Sequence, residues 1–352
     1  MQHIKNQYRG SGMDTLAEII PAPSTDAGAV AKLLAHCPAH AQTPLVNASD
    51  LAFKLGIASL HIKDERARMD LGSFKALGAA YVIACDADAI GGELSTALSG
   101  HTYVTASAGN HGMSVAAGAK VFGANAVIYL SQTVPQGFAE RLEAKGAKVV
   151  VEGENYEASM QAAMDAAESN NWRLLSDSSW NGYTIAPHRL MEGYLQMATE
   201  AFGQLPDAPT HIVLQAGVGG MAGAVAAMAR STFGNEPVII VVEPDVAPAL
   251  YESIEQGKFV TTSGPVSNMG RLDCKEPSLI ALKGLSHDAD HFVLISEEEG
   301  SASMDELSEN GLATTPSGGA GISFLLACKN TSEFGIDERS RILAFLSEGP
   351  DA

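Results

Sequence analysis

Lys63-Asp64-Glu65-Arg66-Ala67-Arg68-Met69-Asp70-Leu71-Gly72-Ser73-Phe74-Lys75 decides the reading of this chain, because it closes on a lysine at the mouth of a helix lined with glycine and alanine. Ser73 is a suitable N-cap, and Phe74 to Val82 is apolar apart from the one amine of Lys75. An amine so placed loses water, which favours its neutral form, and a neutral amine condenses with a carbonyl. The stretch therefore predicts a covalent anchor for an aldehyde cofactor. A lone lysine snorkelling from a surface helix would look similar, so the reading rests on what accompanies it downstream.

Three further motifs follow in order. Tyr103-Val104-Thr105 reads as a strand end that turns through Ala106-Ser107-Ala108-Gly109-Asn110-His111-Gly112 into a helix from Met113 to Phe122. A strand, a small-residue turn and a helix N-terminus present backbone N–H groups to an anion, and an amino-acid carboxylate suits them. Ile212-Val213-Leu214-Gln215 then runs into Ala216-Gly217-Val218-Gly219-Gly220-Met221-Ala222-Gly223, a second strand, glycine loop and helix start. The near absence of side chains lets this backbone approach a phosphate, whether of a small cofactor or of a dinucleotide. Near the C-terminus, Ile342-Leu343-Ala344-Phe345-Leu346 reads as a buried strand ending in the hydroxyl of Ser347, which is either a turn residue or a hydrogen-bonding partner for a ring nitrogen.

Together the four motifs resemble the fold-type II pyridoxal-phosphate enzymes, which include threonine and serine dehydratases, cysteine synthases and the tryptophan synthase β chain. Within that family the likeness runs most to the diaminopropionate ammonia-lyases. It rests on Lys63-Asp64-Glu65, Arg68, Phe74-Lys75, Gly109-Asn110-His111-Gly112, Asp177-Ser178-Ser179-Trp180-Asn181-Gly182-Tyr183 and Leu214 to Gly219. Glu243-Pro244-Asp245, Cys274-Lys275-Glu276-Pro277-Ser278 and Pro316-Ser317-Gly318-Gly319 extend it, so that it covers about residues 40 to 350.

The resemblance implies an α/β fold with mostly parallel sheets in two domains. Residues 13–71 and 172–352 would form the larger, cofactor-binding domain, residues 72–171 the smaller inserted one, and the polar, glycine-containing residues 1–12 a disordered start. It implies pyridoxal 5'-phosphate on Lys75, with Asn110 at the phenolic oxygen, Gly217, Val218, Gly219 and Gly220 around the phosphate, and Ser347 at the ring nitrogen. Ser107, Ala108, Gly109 and His111 would surround the substrate carboxylate, and Asp177 would act as a base near Cα or hold a β-ammonium. Glu243 would brace the cleft. Where the ammonia-lyases carry a second aspartate, this chain has Ala108, and Ser107-Ala108-Gly109-Asn110-His111 is similar to the dehydratases' form of the loop.

The activity implied is β-elimination of ammonia from a 2,3-diamino acid such as 2,3-diaminopropionate, giving an α-keto acid. A dehydratase of a 3-hydroxy amino acid, such as hydroxyaspartate, serine or threonine, is the alternative, since the two differ only in leaving group. A nucleotide-binding module is more remote: Gly217-Val218-Gly219-Gly220 lacks a third spaced glycine and would leave Lys75 without a role.

Composition bounds the rest. The 352 residues allow two domains or one large one, and 46% apolar residues are an ordinary globular content. A formal charge of −19 disfavours nucleic-acid and anionic-membrane partners. With no bilayer-length apolar run and no signal-type start, a cytoplasmic location is expected, and beside the resemblance a homodimer acting on a small amino acid is expected. Cys37, Cys85, Cys274 and Cys328 form no C-x-x-C pair and read as reduced thiols. Pro38 spoils His36 and His40 as a helical ligand pair, and no metal is expected. Strands alternate with helices, and Val238 to Val242, apolar at every position, reads as a strand covered on both faces.

Overall fold

The computed structural model describes residues 1–16 and 20–350. Its strands are β1 (Gln2–Lys5), β2 (Leu45–Asn47), β3 (Ser59–Asp64), β4 (Thr102–Ala106), β5 (Asn125–Leu130), β6 (Lys148–Val151), β7 (Arg173–Leu174), β8 (His211–Gln215), β9 (Val238–Pro244), β10 (His291–Ile295) and β11 (Arg341–Leu346). They form a seven-stranded sheet in the order β1-β10-β9-β8-β11-β3-β2 and a four-stranded sheet in the order β6-β5-β4-β7. Every pairing is parallel except those of the edge strands β1 and β2, and helices cover the sheets, as the alternating pattern of the chain requires. The apolar run in β9 is buried from Ile239 onward, as a central strand demands.

Two expectations are corrected. Residues 1–12 are ordered: β1 pairs antiparallel with β10, and the buried Asn6 side chain donates to the carbonyls of Ser286 and Ala289 at 2.8 and 2.7 Å. The order comes from partners 280 or more residues away in sequence, so nothing local announces it. The four-stranded sheet also reaches past residue 171, because β7 pairs with β4. The chain between Thr102 and Leu174 thus supplies all of the smaller sheet.

The helix Lys75–Ile90 packs against Asn110–Val121 on one side and against Ile185–Gln204 on the other, and so bridges the two sheets' layers. Contact with the second helix is close at Gly193, where a β-carbon would lie 2.6 Å from the Leu77 carbonyl oxygen. The chain reaches Lys75 through a sharp reversal in which Met69 and Asp70 take φ of 52° and 56°. Left-handed backbone costs about 1–2 kcal/mol at each such residue, and a buried ionic network offsets it.

Arg68 donates to both oxygens of Glu65 and of Glu200, at 2.7–3.0 Å, and to the Ala41 carbonyl. Lys63 donates to Glu200, Gln204 and the Thr43 carbonyl. All four charged groups are buried. Burial alone would raise the Glu200 carboxyl, but the Arg68 guanidinium and the Lys63 ammonium outweigh it and hold it at about 2, below its ordinary 4.5. Its contribution to stability is therefore full above pH 4.5 and is lost as pH falls toward about 2. Replacing Glu200 by leucine leaves the buried Lys63 ammonium without a carboxylate and Arg68 with Glu65 alone. The expected cost is about 3–5 kcal/mol at neutral pH, read by urea denaturation, with the difference from wild type narrowing in acid; an unchanged midpoint would refute the network's role.

Candidate active site

Three chain segments meet at Lys75. The Phe74 amide donates to the Ser347 carbonyl at 3.1 Å and the Gly349 amide to the Gly72 carbonyl at 2.9 Å, so the end of β11 lies beside the start of the lysine helix. Ser73 is not the N-cap in the strict sense: its hydroxyl accepts the Lys75 amide at 3.3 Å, and the helix begins at Lys75 itself. From the third segment, which follows β7, Asp177 forms an ion pair with the Lys75 amine.

That pair changes the protonation expected for Lys75. Burial lowers its pKa, as foreseen, but the Asp177 carboxylate outweighs burial and holds the amine firmly protonated. Asp177 responds in kind: burial would raise its carboxyl, and Lys75 pulls it well below the usual carboxylate range. Both side chains are one-fifth exposed, so the pair is largely buried yet still reached by solvent. Lys75 would hold an aldehyde cofactor here, and Asp177 would stand beside that nitrogen as a hydrogen-bond acceptor.

The anion-binding turns bracket this pair. The helix after β4 starts at Asn110, three residues earlier than expected, which puts Asn110 and His111 in its first turn with Ser107, Ala108 and Gly109 just ahead. Burial holds the His111 imidazole neutral, with Lys75 adding to the effect against Asp177, and Nε2 meets the Leu175 carbonyl at 2.8 Å. Gly219 caps the helix Gly220–Phe233 at φ 93°, and a β-carbon there would stand 3.0 Å from Leu250. Gly220 lies near the Asp177 carbonyl. The loop from Gly217 to Gly220 is thus a bare-backbone cradle next to the Lys75–Asp177 pair, which fits a phosphate. Beneath it, Glu243 accepts the amides of Leu250 and Tyr251 at 2.8 and 2.7 Å, and burial pushes its carboxyl up to about 8.

Some features of the site, Tyr194 and Tyr156 among them, carry no signal in the sequence. The buried Tyr194 hydroxyl and His111 Nδ1 have no hydrogen-bond partner among the described residues, and Tyr194 lies within electrostatic reach of Lys75 and Asp177. Tyr156, at the start of the helix Tyr156–Asn170, lies within electrostatic reach of Asp177, Cys274 and Lys75. The Cys274 thiol is pushed up to about 12, by burial and then by Asp177. Asn110 points at Glu348 and donates to it, an acceptor that the sequence reading did not include. Among the described residues no cluster of side chains could hold a metal ion.

The family model for pyridoxal-phosphate dependent enzymes matches residues 37–348. This chain belongs to the pyridoxal-phosphate dependent enzymes. Curated members of the family similar to it include the diaminopropionate ammonia-lyase of Salmonella typhimurium, 36% identical over 266 residues, which are 69% of this chain and 66% of that protein. The Escherichia coli enzyme of the same name is 35% identical, over 71% of this chain and 67% of its own length. The chain therefore spans about two thirds of the curated relatives it matches. The solved structure of the E. coli diaminopropionate ammonia lyase with a reaction intermediate superposes with a TM-score of 0.88 at 28% identity, over 99% of this chain and 93% of that one. Maize serine racemase, at 19% identity and a TM-score of 0.79 over 94% and 95%, shares the fold of this pyridoxal-phosphate enzyme. The nucleotide-binding alternative is excluded by the family match.

Proposed function

We propose that this chain eliminates ammonia from a 2,3-diamino acid such as 2,3-diaminopropionate, giving an α-keto acid and ammonia. The observation that carries this reading is the Lys75–Asp177 pair set between the carboxylate turn and the glycine loop. Lys75 would hold pyridoxal phosphate, with Gly217, Val218, Gly219 and Gly220 at its phosphate, Asn110 at its phenolic oxygen and Ser347 at its ring nitrogen. When bound, the cofactor supplies an electron sink for the carbon that loses its proton. A hydroxyl at the ring nitrogen, in place of a carboxylate, keeps that sink moderate and favours expulsion of a β-substituent over transamination.

The chain's own groups do the rest. Ser107, Ala108, Gly109 and His111 orient the substrate carboxylate, with His111 kept neutral by burial. Asp177 holds a β-ammonium or takes the proton from Cα, and Lys75, once displaced, is a second proton carrier at the same place. Keto-acid and ammonia release from a panel of amino acids tests the reading; no release from any diamino acid would remove it. Ala108 favours one alternative, the dehydration of a 3-hydroxy amino acid, and the L-threonine ammonia-lyase of Geobacter sulfurreducens is 28% identical over 56% of this chain and 46% of that protein. The same panel separates the two by leaving group.

A cytoplasmic homodimer belongs to this reading. The four cysteines are unpaired, which agrees with a reducing compartment, and no helix among the described residues is long and apolar enough to cross a membrane. Light scattering of the purified holoenzyme tests the assembly.

The phosphate cradle gives a further expected result. Gly219→Asp adds bulk at a positive φ and a negative charge beside a dianion, so cofactor affinity should fall by more than about tenfold, or about 1.4 kcal/mol. Gly219→Ala carries the strain without the charge and should lose less. Titration of the apo-enzyme with pyridoxal phosphate measures both, and equal affinities for all three proteins would place the phosphate elsewhere.

A further inference from the structure

β8 and β11 are neighbours in the larger sheet, yet they are in register only at their starts, Ile342 against His211 and Leu343 against Ile212. On its other side β11 pairs with β3 along its whole length, from Arg341 to Leu346. The two strands therefore part toward their carboxyl ends, the end of a parallel sheet at which open α/β folds hold their ligands. There β8 leads into the glycine loop at Gly217, and β11 leads into Ser347. The β8–β11 ladder stops short of both stations, and in a buried gap a carbonyl that the ladder leaves free needs a donor from elsewhere.

One side chain spans the gap. Gln215, the buried last residue of β8, donates through Nε2 to the Gly318 carbonyl at 2.8 Å and to the Phe345 carbonyl at 3.1 Å. Gly318 belongs to the helix Pro316–Ala327, and its carbonyl also accepts the Ser347 amide at 3.2 Å. Both hydrogens of the Gln215 amide are thereby used, and the opposite orientation would set Oε1 against two carbonyl oxygens. Oε1 is buried without a hydrogen-bond partner, 3.1 Å from where a side chain on Gly321 would begin. A buried acceptor left unpaired is unfavourable, so what the amide contributes here is its two donations.

The geometry points to Gln215 as a positioning residue for the cofactor: it ties the end of β11 to the end of β8, and so holds Ser347, at the ring nitrogen, in register with the phosphate loop. This rests on the placement of pyridoxal phosphate proposed above. Gln215 acts through Ser347, and the tie runs on to the anchor, because the Ser347 carbonyl accepts the Phe74 amide beside Lys75.

Gln215→Met keeps the length of the side chain and removes both donors; Gln215→Glu keeps the shape with at most one. Two quantities are read, the affinity of the apo-enzyme for pyridoxal phosphate and the pH midpoint of the bound cofactor's absorption band, which responds to the group at the ring nitrogen. Gln215→Met should lower affinity about tenfold, the scale of one or two side-chain hydrogen bonds, and move the midpoint in the direction in which Ser347→Ala moves it. Gln215→Glu should fall between the methionine variant and wild type. With Gln215→Met and Ser347→Ala combined, the midpoint should equal that of Ser347→Ala alone, since residues that act through one contact do not add. Melting temperatures check the fold of each protein, and if Gln215→Met does not fold, the same comparison is made with Gln215→Glu. An unmoved midpoint in the Gln215 variants while Ser347→Ala shifts it overturns the inference, and so does a combined shift equal to the sum of the single ones, which a general loosening of the fold would give. A wild-type midpoint in Ser347→Ala takes Ser347 away from the ring nitrogen and the inference with it, so a failure of the cofactor placement shows in that variant alone.

Discussion

Lys75→Ala is expected to abolish both the covalent attachment of pyridoxal phosphate and turnover, with activity falling on the order of 10⁴-fold or more, as when a nucleophile is removed. Wild type should be yellow, and borohydride should fix the cofactor to the peptide containing Lys75. Other buried or partly buried lysines are committed elsewhere: Lys63 to Glu200, Gln204 and Thr43, and Lys275 to Asp273 and the carbonyls of Val246 and Pro265. Losing the ammonium also leaves Asp177 without its counter-ion, so part of any effect could come from stability. Lys75→Arg separates the two, because it retains a cation opposite Asp177 but cannot condense with the aldehyde. It should melt near wild type and be as inactive as the alanine variant. A borohydride label on any other lysine would move the anchor away from Lys75.

How far such a site can be read in advance depends on where each residue's partner lies. Lys75, the turn through Ser107 to His111, the loop from Gly217 to Gly220 and Ser347 stand at strand ends or helix starts, and there a short stretch of sequence carries the local geometry. β9 was legible because a strand covered on both faces must be apolar throughout. The order of residues 1–12 was not, since β1 is polar and depends on β10. Arg68 and Glu200 are 132 residues apart, and neither announces the other. Tyr156 and Tyr194 come within electrostatic reach of Asp177 from separate elements in the same way. The protonation of Lys75 was misjudged for a physical reason: the local run of apolar residues indicates desolvation, but the counter-charge that outweighs it comes from Asp177, 102 residues downstream.

Asp177→Asn should cut turnover of the preferred substrate enantiomer about 10²-fold or more, the usual scale for a positioned general base. Lys75 and, to a lesser degree, His111 hold Asp177 ionised, so when Lys75 is engaged elsewhere the carboxylate is ready to accept a proton or to hold a β-ammonium. Asparagine keeps the shape and loses both abilities. Elimination from opposite enantiomers calls for a base on opposite faces of the substrate's Cα, and a chain with Asp177 but Ala108 has an aspartate at only one of the two positions. Wild type should therefore show a clear preference for one enantiomer of its substrate. Ala108→Asp should raise activity on the other, since it places a carboxylate beside the same helix start, at the cost of repelling a substrate carboxylate bound there. Keto-acid release from each enantiomer of 2,3-diaminopropionate and of 3-hydroxyaspartate, by wild type and both variants, measures all three effects. Equal rates on the D and L forms in wild type, or full activity in Asp177→Asn, would take Asp177 out of the mechanism and leave Lys75 as the base.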